Sequence, residues 1–172
     1  MRRRALLALV ASLAGGCLSA GRTRTPTGAS EGLPPTGDGA ALGFDAGDPF
    51  ARRAVGNAAA ADSHRIAVWN DDADRRPIRV RVREVGGPEP AVSATPTFPA
   101  YGTFSVTVFR PADYVLEVRA PDGPGRELGV RRGFVDCDDS ATHVAVRPDG
   151  SVRARVVSTG LGCDAEQEPE PE

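Results

Sequence analysis

The runs Ile78-Arg79-Val80-Arg81-Val82-Arg83 and Phe104-Ser105-Val106-Thr107-Val108 decide the fold. Apolar and polar residues alternate strictly in both. In an extended chain, successive side chains point to opposite faces, so each run lays its apolar members on one side. The pattern recurs on either side. Ile66 and Val68 alternate with Arg65, Ala67 and Trp69. Tyr114, Leu116 and Val118 alternate with Val115, Glu117 and Arg119. Val144 and Val146 face one way, His143 and Ala145 the other. Val152, Ala154 and Val156 alternate with Arg153 and Arg155. Turn-forming clusters separate the runs: Asn70-Asp71-Asp72, Gly86-Gly87-Pro88, Pro111-Ala112-Asp113, Pro121-Asp122-Gly123-Pro124 and Pro148-Asp149-Gly150. About seven short strands at this spacing, without a long helical pattern, predict an all-β chain folded as a single antiparallel β-sandwich over residues 63–163.

The flanks are of a different kind. Arg2, Arg3 and Arg4 precede the apolar stretch Ala5 to Leu13, broken only by Ser12, and Leu13-Ala14-Gly15-Gly16-Cys17 follows. A cationic start, a short apolar run and small residues make a secretory signal. The run is too short for a bilayer core of ~30 Å, which needs ~20 apolar residues. A cysteine closing the small-residue stretch is the site where a thiolate takes up a lipid. Residues 1–16 therefore read as a lipoprotein signal peptide, and Cys17 as the lipid attachment that holds the chain on the extracellular face of the cell membrane. Arg3-Arg4 before Ala5-Leu6-Leu7 also fits a twin-arginine export signal, and the general secretory route stays open beside it. Residues 17–62 carry Thr, Pro and Gly without apolar period, the composition of a disordered tether. A flexible coil of that length spans ~35–40 Å. Ala58 to Ala61 suggest a short helix within residues 48–61. Residues 164–172 read as an acidic disordered tail.

The 172 residues hold 21 basic side chains, all of them Arg, against 23 acidic ones, a net charge of −2. Loss of the three signal arginines takes the chain to −5. Acids outnumber Arg, so nucleic acid is not an expected partner. Absence of Lys with abundant Asp and Ala fits a GC-rich halophile. Together with the lipobox, it resembles small lipoproteins of haloarchaea.

Cys137 and Cys163 remain as a pair in an oxidising compartment. A two-residue turn at Asp149-Gly150 makes paired residue numbers sum to 299, and one bulge, or a three-residue turn, would bring the two cysteines, which sum to 300, opposite each other, so a disulfide closing this hairpin is expected. Such a loop is worth about 3 kcal/mol in the chain-entropy model.

The hairpin Phe104 to Val108 followed by Ala112-Asp113-Tyr114-Val115-Leu116-Glu117-Val118 resembles immunoglobulin-like and transthyretin-like modules of surface proteins. The resemblance implies a corner tyrosine at Tyr114. Trp69 precedes both cysteines instead of lying between them, so the resemblance carries neither a disulfide nor a binding site.

The side chains present bear on four chemistries. A copper centre of the blue type wants two His and a Cys thiolate, which Cys137, His143 and His64 would supply, but the single Met available as an axial ligand is Met1, within the signal. Calcium would call on Asp136, Asp138 and Asp139, or on Asn70, Asp71, Asp72 and Asp74, though neither stretch has the spaced loop pattern. Arg79, Arg81 and Arg83, beside Arg153 and Arg155, would meet an anionic polymer or protein face, or form a solvated outer surface. No nucleophile elbow or phosphate loop is present, and no Ser-His-Asp triad follows from spacing. The sequence therefore predicts a surface module for binding or envelope structure, with no cofactor, no metal and no catalytic residue. Its partner would be a surface protein or polymer.

Overall fold

Period-two alternation becomes two stacked sheets in the computed structural model, which describes residues 33–38, 47–136 and 140–158. Among the described residues eleven strands are formed: β1 (Ala51–Val55), β2 (His64–Asn70), β3 (Arg76–Pro77), β4 (Arg79–Glu84), β5 (Pro90–Ala94), β6 (Thr97–Phe98), β7 (Thr103–Val108), β8 (Tyr114–Arg119), β9 (Arg126–Val130), β10 (Ala141–Val146) and β11 (Val152–Val157). One short 3-10 turn, Arg132–Phe134, follows β9. The first sheet has the order β1-β7-β2-β10-β11, the second β5-β4-β8-β9, and β3 pairs with β6 alone.

The alternation fixes which residues meet between the sheets. Ile66, Val68, Phe104, Val106, Val108, Val144 and Val146 come from the first sheet. Val80, Val82, Tyr114, Leu116, Val118, Leu128 and Val130 come from the second. Together they form one core, and removal of this apolar area from water is what holds the sheets face to face. Tyr114 is fully buried, and its hydroxyl donates to the carbonyl of Arg110, 2.8 Å away and four residues upstream. This is the corner geometry expected of it: a buried ring whose polar tip ties down the loop before its own strand.

The sandwich differs from expectation in three ways. The second sheet is antiparallel throughout, but the first is mixed: β1 runs parallel to β7, and β2 parallel to β10. Long connections, not hairpins, bring these partners together. Next, the Ala-rich stretch at 48–61 is not helical. Ala51–Val55 lines up with Phe104 to Val108, and only a turn at Asn57–Ala60 follows. The open edge of β7 offers backbone partners that outweigh alanine's helix preference. Finally, residues 33–38, placed within the expected tether, belong to the domain. The N–H of Gly129 on β9 donates to the carbonyl of Pro35, and the N–H of Asp38 donates to the carbonyl of Ala154 on β11. Arg126 reaches Asp38 at 2.9 Å and the Val152 carbonyl at 3.0 Å. One short segment thus covers the edges of both sheets on one side, where unpaired strand backbone would otherwise be open. Gly129 is required there: a Cβ at this position would sit 2.4 Å from the Pro34 carbonyl oxygen.

The final hairpin closes over three residues, Pro148, Asp149 and Gly150, with Gly150 at φ 77°. Ala141 faces Val157 and Val146 faces Val152, so paired numbers sum to 298, not 299. Continued in that register, Cys137 would face residue 161. Cys137 and Cys163, like Cys17, lie outside the described residues.

Candidate functional site

His64 opens β2 on the same parity as Ile66 and Val68, and so enters the core. It is fully buried. Nδ1 lies 2.7 Å from Ser140 Oγ, and Nε2 lies 2.8 Å from Thr142 Oγ1. Ser140 Oγ in turn donates to the carbonyl of Phe134 at 2.6 Å. That last bond commits the serine proton, so Ser140 accepts from His64 Nδ1–H. Nε2 then carries the lone pair and accepts from the Thr142 hydroxyl. The Phe134 ring stacks on the imidazole with centroids 5.6 Å apart.

A serine beside a histidine invites a catalytic reading, but the polarity is reversed. A general base needs its lone pair on the nucleophile, whereas here the imidazole donates to the serine. His64 is instead a neutral clamp between β2, β10 and the connection that carries Phe134. Burial lowers its pKa to about 4, against the pull of the Phe134 carbonyl, and nearby His143 lowers it further. An uncharged imidazole is what such a site tolerates.

His143 has the opposite parity on β10. It sits on the outer face of the first sheet, opposite Arg155 on β11 and Ala67 on β2. Its pKa is lowered, first by burial and then by Arg155 and Arg65. His64 and His143 therefore point to opposite sides of one sheet and cannot converge on one copper ion. Among the described residues, no three His, Cys, Asp or Glu side chains gather in a metal-binding group.

The Asn70–Asp74 loop is likewise committed to structure. Asn70 is fully buried at the inner end of β2. Its Oδ1 accepts from Arg76 Nε at 2.7 Å, and its Nδ2 donates to the carbonyls of Asp74 and Pro99, both at 2.9 Å. Arg76 also donates to the Val146 carbonyl at 2.6 Å and pairs with Asp72 at 3.4 Å. Asp71 pairs with Arg147. This loop spends its oxygens on arginine, backbone amides and its own turn, which leaves it a poor calcium cage. Asp136 bridges back to Ser63, and Asp138 and Asp139 lie outside the described residues.

The arginine ladder is placed as its alternation requires. Arg79, Arg81 and Arg83 stand on the outer face of β4. In register, Arg79 lies opposite Arg119 of β8, Arg81 opposite Glu117, and Arg83 opposite Val115. Glu127 of β9 lies opposite Glu117. Glu117 is shared, 3.9 Å from Arg79 and 4.0 Å from Arg81. Beside Arg79 and Arg119 an open cleft of about 290 Å³ is walled by Pro77, Thr95, Ala120 and Pro121. Arg153, on β11, belongs to the other sheet and pairs with Asp38 at 3.9 Å.

No family model, no curated protein and no solved structure matches the chain.

Proposed function

We propose that this chain is a lipid-anchored β-sandwich module of the cell surface, exported by residues 1–16, held through Cys17, and acting in binding or envelope structure, not in catalysis. The observation that carries this reading is the segment Leu13-Ala14-Gly15-Gly16-Cys17 ahead of a closed sandwich. The interior supports it. Among the described residues, its polar groups, His64 with Ser140 and Thr142, and Asn70 with Arg76, satisfy one another. The outward chemistry is arginine along one sheet face, which suits recognition of an anionic protein or polymer. The Tyr114 corner and two-sheet core favour an immunoglobulin-like relationship. The lack of Lys and the acidic flanks favour a haloarchaeal lipoprotein. A Cys137–Cys163 disulfide is part of the same proposal. The observed register asks for a two-residue departure between the end of the hairpin and these cysteines.

Cys17→Ser is the direct test. The wild-type protein is expected in the membrane fraction. The variant is expected in the medium, or in the membrane as uncleaved precursor, without incorporated lipid. Mature, membrane-held protein of unchanged mobility in the variant would sink the anchor.

A further inference from the structure

Several arginines of this fold are tied firmly into it, and the four on the outer face of the second sheet are held weakly or not at all. Arg76, Arg110, Arg126 and Arg147 each donate to a carboxylate, a side-chain amide or a backbone carbonyl. On the outer face of the second sheet, Arg83 and Arg119 make no ion pair or hydrogen bond through their guanidinium groups among the described residues. Arg79 and Arg81 share Glu117 at 3.9 and 4.0 Å, too far for a hydrogen bond. Four cations with two carboxylates, Glu117 and Glu127, leave the face with an excess charge of +2. Arg79 and Arg119 stand directly opposite each other, an arrangement of like charges that an intervening anion would relieve.

Spacing narrows the choice of anion. Alternate residues on a strand lie ~6.6–6.8 Å apart on one face, which is the interval between Arg79, Arg81 and Arg83. The same interval is written elsewhere in the chain. Asp164, Glu166, Glu168, Glu170 and Glu172 occupy alternate positions, with Ala165, Gln167, Pro169 and Pro171 between them. Extended, that segment presents one edge of carboxylates at the ladder's own interval. Its prolines lack the N–H needed to join a sheet, so it would meet the ladder through side chains.

The path is short enough. Val157 ends β11 opposite Ala141, which faces Arg65 at the start of β2, and Arg65 faces Thr107 at the end of β7. From there residues 109–113 lead to Tyr114, opposite Glu84. The chain thus leaves β11 at the Arg83 end of β4. Six residues from Ser158 to Asp164 reach ~20 Å, and a Cys137–Cys163 bond would start the acidic segment at this same end, where Asp136 bridges Ser63 ahead of β2. The route from the β11 edge to β4 crosses one sheet gap of ~10 Å and two strand spacings of ~4.8 Å.

From these observations we propose that the face bearing Arg79, Arg81, Arg83 and Arg119 is a docking surface whose ligand is the chain's own acidic segment, residues 164–172. The segment is tethered, so even weak pairing is favoured by a high effective concentration. Docking would screen the ladder from other polyanions at low salt and release it as salt rises.

The test uses the full mature chain, isotopically labelled, at low salt. It is compared with a variant in which the five acids are replaced by Asn or Gln. The backbone and Nε–Hε resonances of Arg79, Arg81, Arg83 and Arg119 are expected to shift between the two, while those of Arg76 and Arg147, tied to Val146 and Asp71 at the other end of the sandwich, stay in place. Added salt is expected to move the wild-type resonances toward the variant's. In an R81Q/R83Q background, neutralising the acids is expected to cause severalfold smaller shifts on this face. Coincident ladder resonances in the wild type and the neutral variant would overturn the proposal. So would ladder shifts that disappear on dilution, because the acids would then come from a second copy.

Discussion

Lowering the pH from 7 to 4 is expected to cost the folded domain about 3 kcal/mol through His64 alone. The imidazole has an ordinary pKa of 6.5 in the unfolded chain and is pushed down to about 4 in the fold. Above 6.5 it is neutral in both states, and the stability it supports is fully present. As pH falls below 6.5, the unfolded chain takes up a proton that the buried ring refuses, so unfolding becomes progressively easier. The loss is complete near pH 4. The difference of about 2.5 pH units corresponds to about 3 kcal/mol. His143 shifts in the same direction and adds to the slope. Urea unfolding at pH 7 and pH 4 checks this, with proton uptake on unfolding as the independent reading. His64→Gln should be less stable at pH 7 and should lose much of the slope. Equal pH dependence in both proteins would refute the clamp.

Asn70→Ala is expected to destabilise the domain by about 3 kcal/mol or more at any pH near neutrality. Removal of the amide leaves Arg76 Nε and the carbonyls of Asp74 and Pro99 without their partner at the inner end of β2. A buried polar group deprived of its partner costs ~1–3 kcal/mol, more when a charge is involved. Arg76 keeps its bonds to Val146 and Asp72, which limits the damage to the Asn70 share. Thermal unfolding of the single variants and of an Asn70→Ala/Arg76→Met pair measures the coupling. The double variant should be less destabilised than the sum of its parts, since it buries no orphaned charge. Simple additivity would show that the two residues do not act as one unit.

Much of this architecture is written in alternation. β2, β4, β7, β8, β10 and β11 each carry a period of two, and their alternating apolar members are core residues of the fold, Val156 near the end of β11 excepted. Elements that alternate poorly were not legible. β1 buries only Val55, and its place is set by the edge of β7, not by its own side chains. In β9 the pattern is broken by Gly129, whose missing side chain makes room for residues 33–35. The segment 33–38 has linker composition and joins the domain through backbone bonds and Asp38, which no hydrophobic pattern announces.

The site teaches a narrower lesson. Pairing His64 with His143 by residue type suggested a common ligand, yet parity along the strands already sets them apart: His64 goes with Ile66, His143 with Ala145. The true partners of His64, Ser140 and Thr142, are 76 and 78 residues away. Their signal is a pair of inward hydroxyls just ahead of Val144. Parallel pairing of β2 with β10 brings them to the ring, and a long-range parallel contact leaves no local trace in sequence.

The intact mass of the mature protein, taken from membranes and measured before and after thiol alkylation, tests the central claim most directly. A lipid-anchored, disulfide-closed module predicts a chain beginning at Cys17, heavier than its polypeptide by a lipid, two hydrogens lighter for the Cys137–Cys163 bond, and unchanged by alkylation. A chain without lipid, alkylated at Cys17 or cut beyond it, would contradict the anchor; two further alkylated thiols would contradict the disulfide.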